Sequence, residues 1–564
     1  MLDFVLHALR ANPEIAIFLA IASGTMIGRI RLGKFHLGTV AGSLLMGLVI
    51  GQIGIEEPHL LKAVFFALFI YAVGFKSGPG FFGSLNINTL KLVLFSIVLC
   101  VTGLLTILLM NKLFGFDAGF AAGLGAGALT DTAMMGTASS ALNELPLSVR
   151  QLAELNSHMA VAYAITYLFG TVGLIVFVSS IAPMLLKINL KESARELERE
   201  LSGNASTLQP DEIIPYTRIV VRAYRIAGSS EAQGLSIREV ETSKPDMSIE
   251  RVVRAGVALE RDESLRLQID DVVGLAAKRG AVSAISAFFG PEVDNTLALS
   301  YPSKAVEIVL THAGFTLKSL TDLASSTDSS SHHGLFINRI TRQGYELPLL
   351  ANTALSMGDV IHVTGRPSTV DVLAPRIGRV KTSKYKSDIA VHTLGIVAGS
   401  LLGLLSAHLG KIPIELGVGG GVLLVALLLG WLHSRFPSFG DLPPAAQWAF
   451  SEFGLTGFAA VVGLLAGPQA IAAMQEHGLS LLLAGVAVTL VPPLVAFYFG
   501  RYILKLHPMI LLGGLAGAQT EAASMNTIIE ESQSQTPVIG FTVCYAISNV
   551  LFAVWGPIIV AFST

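Results

Sequence analysis

The chain has 564 residues, of which 52% are hydrophobic and 14% are charged, and its mean hydropathy is +0.64. Because a soluble globular protein carries about 25% charged residues, this composition excludes a chain that meets water along its whole length. The formal net charge of −2 gives no indication of a nucleic-acid partner, and two cysteines, Cys100 and Cys544, are too few for a disulfide framework.

Apolar runs of roughly the length that crosses a bilayer occupy both ends of the chain. Six of them precede residue 187, at 15–30, 37–53, 60–73, 90–110, 116–142 and 159–186. Six more follow residue 387, at 389–409, 414–432, 446–465, 479–500, 509–529 and 538–562. The sequence therefore predicts a polytopic α-helical membrane protein, with one membrane half at 1–187 and a second at 388–564.

The central segment, 188–387, has short alternating apolar stretches that are typical of a soluble α+β insert. The pattern I-x-R-x-x-R-x-G begins at Ile249 and again at Ile337. In both copies an Asp-Val pair follows at the same distance and introduces a predicted strand. The insert is therefore interpreted as two tandem regulatory modules, at 188–296 and 297–387.

The two membrane halves also resemble each other in sequence. Segments 37–51, 73–79 and 123–138 align in the same order with 416–430, 462–468 and 513–528. A further match pairs the Tyr-Ala-Ile sequence at Tyr163 with the one at Tyr545. The third segment places Asp131 opposite Glu521, Thr130 opposite Thr520 and Thr137 opposite Thr527. Internal repeats of this kind are typical of secondary transporters.

Basic residues of short loops indicate the cytoplasmic side of a membrane protein. Arg29 and Arg31 place the first loop inside and the N-terminus outside, and Lys76 and Lys91 place the third connection inside. If every run crossed the membrane, the sixth would deliver the insert to the outside. A regulatory insert is expected in the cytoplasm, so one run must return to the side from which it entered.

The glycine-rich run 116–142 and its counterpart 509–529 are the predicted re-entrant hairpins, because broken helix is tolerated in a membrane only where it lines a cavity. Each half then has about five spans plus one re-entrant hairpin, and the halves are inverted repeats. The insert is cytoplasmic and both termini are periplasmic or extracellular. The alternative is twelve ordinary spans, which would make the halves parallel repeats.

The centres of the two hairpins are the best candidates for a substrate site. A carboxylate inside a membrane costs about 2.5–3.5 kcal/mol and is a functional hypothesis by default, and broken helix ends offer N–H groups to anions. The alternative is that Asp131 and Glu521 only cap half-helices. The predicted substrate-binding residues are Thr130, Asp131, Thr132, Thr137, Gln519, Thr520, Glu521, Asn526, Thr527 and Lys76. The backbone glycines predicted to shape the hairpins and the site are Gly74, Gly78, Gly123, Gly127, Gly136, Gly513 and Gly517.

Lys76 lies in the motif Gly74-x-Lys76-x-Gly78-Pro79, where it can support a substrate carboxylate or simply mark the inner face of the membrane. The sequence has no phosphate-binding loop, no His/Cys spacing of a metal site and no potassium selectivity filter. We therefore expect no cofactor, no metal and no enzymatic activity.

Two repeated membrane halves, a Gly-rich Thr-Asp/Glu segment in each, a GxxxGP element and a central pair of modules together resemble the aspartate–alanine exchanger family. The central modules are similar to the C-terminal subdomains of regulators of potassium conductance. The resemblance covers nearly the whole chain and implies a multi-pass antiporter of the bacterial plasma membrane. It also implies that Lys76 and Asp131 stand at the basic and acidic positions of the family motifs.

The function implied by this resemblance is the exchange of L-aspartate for L-alanine, which contributes to proton-motive force when aspartate is decarboxylated inside the cell. Some members of the family resemble exporters of dicarboxylates such as succinate, so this alternative stays open. A ligand-gated ion channel is the alternative from another class, suggested by the insert. The expected partners are the small-molecule substrates, the lipid bilayer and a second copy of the chain in a homodimer.

Overall fold

A computed structural model describes residues 2–32, 35–36, 38–55, 59–84, 89–202, 219–244, 247–278, 282–312, 318–320, 322, 335–381, 386–409, 412–415, 417–436 and 439–563. The chain forms two compact units. One contains Met1–Leu197 and Lys384–Thr564, and the other contains Glu198–Ser383.

The first membrane half is almost entirely helical. Its helices are α1 (Leu2–Ala11), α2 (Pro13–Gly28), α3 (Thr39–Gly51), α4 (His59–Ser84), α5 (Leu90–Phe114), α6 (Ala118–Ala128), α7 (Thr132–Asn143), α8 (Val149–Val176) and α9 (Ala182–Leu186). The next helix, α10 (Leu190–Leu201), begins in the first compact unit and ends in the second. A π-helical turn, Phe177–Ile181, joins α8 to α9, and two short antiparallel strands, β1 (Arg31–Leu32) and β2 (Phe35–His36), lie between α2 and α3.

The insert contains two antiparallel sheets. The first has the strand order β3-β6-β4-β5, with β3 (Ile219–Arg225), β4 (Met247–Arg254), β5 (Val257–Leu259) and β6 (Val272–Lys278). The second has the order β11-β7-β10-β8-β9, with β7 (Lys304–Val309), β8 (Leu335–Arg342), β9 (Tyr345–Glu346), β10 (Val360–Gly365) and β11 (Arg379–Val380). The described helices are α11 (Ile237–Ser243), α12 (Val282–Phe289), α13 (Thr296–Leu299) and α14 (Pro367–Ile377).

The sequence repeat of the insert corresponds to a repeated ion pair. Arg254 donates from Nε and a terminal nitrogen to the two oxygens of Asp271, each at 2.8 Å. Arg342 makes the same two contacts with Asp359, also at 2.8 Å. A bidentate guanidinium–carboxylate pair fixes orientation as well as distance. The first pair therefore holds β4 against the turn before β6, and the second holds β8 against the turn before β10.

A buried ion network joins the first sheet of the insert to the residue that precedes α14. Arg366 lies 3.1 Å from Glu250 and 3.5 Å from Glu241, and Arg261 lies 2.9 Å from Glu241. Burial raises the pKa of the Glu250 carboxyl, although Arg366 acts in the opposite direction. Charged residues therefore link the first sheet to the segment that follows β10.

The second membrane half begins with α15 (Ile389–Gly403) and a short hairpin of β12 (Ser406–Leu409) and β13 (Ile412–Glu415). Its remaining helices are α16 (Gly417–Arg435), α17 (Pro444–Tyr498), α18 (Pro508–Ala518), α19 (Ala522–Ser532) and α20 (Val538–Ser563). A π-helical turn, Phe499–Ile503, follows α17.

Six helical segments of the described residues are long and apolar enough to cross a membrane. They are Leu60–Gly83, Leu90–Phe114, Val149–Leu186, Gly417–Arg435, Pro444–Ile503 and Val538–Ser563. Shorter apolar helices of 10–17 residues occur at Pro13–Gly28, Thr39–Gly51, Ala118–Ala128, Ile389–Gly403 and Pro508–Ala518. The chain is thus a multi-pass helical membrane protein with a sheet-containing insert.

The predicted runs 446–465 and 479–500 lie in one uninterrupted helix, α17, which is nevertheless bent. Ser157 of α8 donates to the carbonyl of Ala466, and Thr166 of α8 packs against Gly485. At 1.5 Å per residue, the two contacts are about 28 Å apart along a straight α17 but about 14 Å apart along α8. The axis of α17 must therefore curve away and return, and Pro468 provides a cause for such a kink.

Helices of opposite halves pack closely through glycine. A Cβ at Gly51 of α3 would overlap the carbonyl oxygen of Leu464 in α17, and one at Gly78 of α4 would overlap that of Leu427 in α16. Gly47 and Gly74 lie one turn before these two glycines, and the residues that they meet also lie about one turn earlier on α17 and α16. α3 therefore runs parallel to the first part of α17, and α4 runs parallel to α16.

Candidate functional site

The first helix of the glycine-rich run, α6, lies in parallel against α8. A Cβ at Gly123 would overlap the carbonyl oxygen of Met159, and one at Gly127 would approach that of Tyr163 to 2.8 Å. Since both contacts advance by four residues in the same direction, the two helices point the same way. The absence of side chains at these glycines lets the backbones of the two helices touch.

The second helix of that run, α7, returns along α8 in the opposite direction. At its start, the hydroxyls of Thr132 and Tyr163 are 2.8 Å apart. Further along, Ser139 donates to the side-chain oxygen of Asn156, also at 2.8 Å. α6 and α7 therefore form a helical hairpin whose tip is the three-residue break at 129–131.

The second half repeats this arrangement. A Cβ at Gly513 would overlap the carbonyl oxygen of Pro537, and one at Gly517 would overlap that of Phe541, so α18 lies parallel to α20 as α6 lies parallel to α8. The tip between α18 and α19 is the break at 519–521. The two hairpins are related by an offset of 390 residues, which also pairs Gly115 with Lys505, two left-handed residues just before the hairpins.

The helix contacts correct one match of the sequence repeat. Gly127 meets Tyr163 and Gly517 meets Phe541, so these two aromatic residues are equivalent. Tyr545, which the sequence pairs with Tyr163, corresponds instead to Tyr167. The ring stacks agree with this register, with centroids 5.2 Å apart for Tyr163–Tyr167 and 5.3 Å apart for Phe541–Tyr545. The predicted pairing was therefore wrong by one helical turn.

Both tips have the same backbone conformation. Asp131 N–H donates to the carbonyl of Ala126 at 2.9 Å, and Glu521 N–H donates to that of Ala516 at 3.0 Å. Together with the left-handed residue before each carboxylate, these six-to-one bonds form a Schellman motif, the usual C-terminal helix cap. The left-handed residues are threonines, Thr130 and Thr520, each with φ of +56°, whereas glycine normally occupies this position.

The two tips contact each other reciprocally. The hydroxyl of Thr130 donates to the carbonyl of Gln519 at 2.7 Å, and the hydroxyl of Thr520 donates to the carbonyl of Thr130 at 3.4 Å. The contact joins residues almost 390 positions apart in the chain. The structure therefore brings together six of the predicted site residues, namely Thr130, Asp131, Thr132, Gln519, Thr520 and Glu521.

The two carboxylates are buried and cap the second helix of their hairpins. Asp131 is 3% exposed and accepts from the N–H of Met134 at 2.8 Å. Glu521 is 8% exposed, accepts from the N–H of Ala523 at 3.0 Å, and also accepts from the hydroxyl of Thr171 at 3.4 Å. The capping role considered as the alternative is thus present, and in Glu521 the second carboxylate oxygen is bonded to α8 through Thr171.

Three further predicted residues lie away from the tips. Thr137 donates to carbonyls of its own helix, those of Ala133 and Met134, and Thr527 does the same with Ala523 at 3.0 Å. Asn526 lies on the exposed face of α19. Neither the two hydroxyls nor the Asn526 side chain joins the contacts between the tips.

Most of the predicted glycines serve helix packing. Gly74 and Gly78 hold α4 against α16, and a Cβ at Gly136 would overlap the ring of Phe66. Lys76, between the first two, has its side chain on an exposed face of α4. These glycines therefore permit a close approach between helices.

Several polar residues around the tips were not predicted as site residues. Tyr163 contacts Thr132, and Thr171 contacts Glu521. Thr489 of α17 contacts Gln519 in the second tip and Ala128, the residue just before the first tip. These residues lie on helices outside the hairpins, and the sequence around them does not indicate a site. The exception is the pair of consecutive prolines shortly after Thr489.

Comparison with known proteins gives consistent results along the whole chain. Residues 16–183 and 391–561 match the Asp-Al_Ex family, described as a predicted permease membrane region. An uncharacterized transporter of Bradyrhizobium diazoefficiens is 39% identical over 563 residues, covering 99% of both chains. Uncharacterized transporters of Zymomonas mobilis and Shewanella oneidensis are 37% and 33% identical over 565 and 572 residues, each covering 100% of both chains.

No solved structure matches this chain. The family match covers both membrane halves, and the relatives extend across the insert as well. Both kinds of similarity point to transport of small molecules across a bacterial membrane and away from enzymatic chemistry. The chain therefore belongs to the Asp-Al_Ex family of predicted permeases and is a multi-pass membrane transporter.

Proposed function

We propose that this transporter is a secondary antiporter that exchanges L-aspartate for L-alanine across the bacterial plasma membrane. The observation that carries the proposal is the reciprocal contact of two equivalent hairpin tips, each with a buried carboxylate. Buried carboxylates in a membrane protein mark substrate or ion pathways. Half-helix ends that meet inside a repeat architecture are the usual construction of a transporter binding site.

An inverted relation between the halves is supported by the contacts of α20. Near its start, Pro537 lies against Gly513, close to the base of the second hairpin. Near its end, Gly556 packs against Thr137, and Ser563 accepts from Asn111 just before the first hairpin. Since the bases of the two hairpins lie towards opposite ends of one helix, we infer that they enter the membrane from opposite sides.

The charged loops support one orientation of the protein in the membrane. Arg501 and Lys505 favour a cytoplasmic base for the second hairpin, on the side proposed for the insert. The base of the first hairpin faces the outside, as do both termini. In this arrangement the insert is a cytoplasmic regulatory part that contributes to a homodimer and takes no part in chemistry.

The tips offer the groups that an amino acid with two carboxylates requires. A carboxylate oxygen of Asp131 or Glu521 suits the substrate ammonium group, which carries three donors. Hydroxyls such as those of Thr130 and Thr520, and N–H groups of the helix ends, suit the substrate carboxylates. Lys76 remains a proposed support for a second carboxylate.

The test is exchange by the purified full-length protein in liposomes. Internal unlabelled aspartate should drive the uptake of external labelled aspartate without ATP, and alanine should compete. Asp131→Asn keeps a good capping residue but removes the charge, so exchange should fall by about ten- to a hundredfold, as expected for a lost charged hydrogen bond. Asp117→Asn is the matched control, because Asp117 caps α6 at the base of the same hairpin.

Several outcomes would contradict the proposal. Wild-type rates in both Asp131→Asn and Glu521→Gln would mean that the two carboxylates serve only as caps. Uptake that requires no internal substrate and follows voltage alone would indicate a channel. Competition by succinate with no competition by alanine would replace amino-acid exchange by dicarboxylate transport at the same site.

A further inference from the structure

Two consecutive prolines interrupt the hydrogen bonds of α17 at its membrane-buried part. Proline has no N–H, so it cannot donate to the carbonyl four residues earlier in a helix. Pro492 and Pro493 therefore deprive the carbonyls of Val488 and Thr489 of their helical donors. Val488 is 0% exposed and Thr489 is 1% exposed, so neither carbonyl can turn to water, and each needs another partner.

The freed carbonyl of Thr489 is used by a hairpin tip. It accepts from the side-chain amide of Gln519 at 3.4 Å, and the Thr489 hydroxyl donates to the carbonyl of Ala128 at 3.3 Å. Gln519 belongs to the second tip, and Ala128 is the last residue of α6, beside the first tip. The Ala128 carbonyl is one of the groups that a helix end leaves without a helical donor. One residue of α17 is thus bonded to both tips.

The first half satisfies the corresponding carbonyls in another way. At the offset of 390 residues that relates the hairpins, Leu99 and Thr102 of α5 stand where Thr489 and Pro492 stand in α17. The hydroxyl of Thr102 donates to the carbonyls of Val98 and Leu99, at 2.7 and 2.9 Å. Residues 102 and 103 also keep their backbone N–H groups, so both carbonyls are bonded within α5, whereas in α17 one of them is bonded to a tip.

The side chain of Thr489 is held in place from a third direction. A Cβ at Gly173 of α8 would lie 2.8 Å from the methyl carbon of Thr489, so α8 closes against this residue only because position 173 has no side chain. Valine has the same shape as threonine and fits the same space. Replacing threonine by valine therefore removes one donor and leaves the packing intact.

We propose that Thr489 is a positioning residue of the transport site, which holds both hairpin tips in register through its hydroxyl and through the carbonyl that Pro493 frees. The proposal deepens the proposed function and rests on it for the statement that the tips bind the substrate. Thr489 touches the tips and not the substrate. The loss of its hydroxyl should therefore lower the affinity of the tips for the substrate more than it lowers the yield of folded transporter.

The first experiment measures exchange by full-length variants in liposomes. Thr489→Val should raise the substrate concentration for half-maximal exchange by about fivefold, the effect of one net hydrogen bond, with a smaller change in maximal rate. Thr489→Ser keeps the hydroxyl and should stay within about twofold of wild type on the same scale. If serine behaves like valine, or if only the maximal rate and the yield fall, the role is purely structural and the proposal is overturned.

The second experiment does not depend on transport. Hydrogen exchange of the full-length protein in nanodiscs should become faster in peptides that cover 126–134 and 516–524 when Thr489 is replaced by valine. Thr456→Val is the matched control, because Thr456 lies buried on the same helix and donates to its own backbone carbonyl at Glu452. It should leave both tip peptides unchanged.

The outcomes of the two experiments separate the proposals. Faster hydrogen exchange in both tip peptides supports the role of Thr489, whatever the protein transports. A wild-type protein that transports neither aspartate nor a dicarboxylate would overturn only the proposed function. An unchanged rate of hydrogen exchange in the tip peptides, or a change in one tip peptide alone, would overturn the inference that Thr489 joins the tips.

Discussion

At the scale of single residues, the conformation of Thr130 and Thr520 marks the site. A β-branched residue in the left-handed region is strained, at a cost of order 1–3 kcal/mol, and glycine would remove that strain. Glycine is abundant around both tips, yet threonine occupies both left-handed positions. The hydroxyls explain this choice, because each of them bonds to the opposite tip.

Replacing Thr130 by glycine should separate stability from function. We expect Thr130→Gly to leave the melting temperature unchanged or to raise it, since about 1 kcal/mol or more of backbone strain is relieved. Exchange in liposomes should fall by about fivefold or more, because a hydrogen bond between the tips is lost. Thermal melting in detergent and exchange rates measure the two effects.

The matched control is Gln533→Gly, since Gln533 has φ of +55° but lies at the far end of α19. This variant should relieve strain without any loss of exchange. Full exchange in Thr130→Gly would show that the hydroxyl contact between the tips has no role in transport.

The repeat pointed to the tip residues from the sequence because Thr-Asp and Thr-Glu recur at equivalent positions within apolar runs. It gave no sign of Thr171 or Thr489, because their roles depend on helices that meet only in the folded protein. It also predicted Thr137, Asn526 and Thr527, which stay predictions, because alignment cannot tell which polar side chains of a helix take part in the contacts between the tips.

At the scale of elements, the hairpins depend on backbone contact between helices. Gly123→Ala and Gly513→Ala should each lower the melting temperature and the yield of folded protein. The added Cβ would overlap a carbonyl oxygen of α8 in the first variant and that of Pro537, just before α20, in the second. The expected loss is about 1–3 kcal/mol, as for other overpacked sites. Fluorescence-detected size-exclusion chromatography after heating measures it.

Gly478→Ala is the control within a helix, since its Cβ would meet only a methionine side-chain carbon at 3.6 Å. Alanine has the higher helix propensity, so this variant should be neutral or slightly stabilising. Equal stability of all three variants would mean that the hairpins do not require close packing.

The apolar runs predicted most helices but not how neighbouring runs join or pair. The runs at 446–465 and 479–500 form one bent helix, because the residues between them continue the helical hydrogen bonds. The register of α20 was displaced by four residues because a shift of one turn keeps the same face of a helix. The identical residues at Tyr163 and Tyr545 therefore led to an alignment one turn away from the register that the contacts of Gly127 and Gly517 define.

At the scale of the whole molecule, the order of the runs is compatible with two topologies. Loop charges come from only a few residues, so the sequence favours inverted halves without excluding twelve ordinary spans. The pairing of α3 with α17 and of α4 with α16 adds support for inversion. Helices joined by a short connection, such as α3 and α4, run antiparallel, so α3 must oppose α16, its counterpart in the second half.

Cysteine labelling from each side of the membrane tests this topology in full. In a Cys100→Ala, Cys544→Ala background, Leu147→Cys places a single thiol just beyond the first hairpin, and Glu530→Cys places one near the base of the second. Both native residues are exposed. In whole cells, a membrane-impermeant maleimide should label Leu147→Cys, whereas Glu530→Cys should react only in inside-out vesicles, because the hairpins enter from opposite faces. Labelling of both thiols from the same side would contradict the inverted arrangement and favour the alternative in which the halves are parallel repeats.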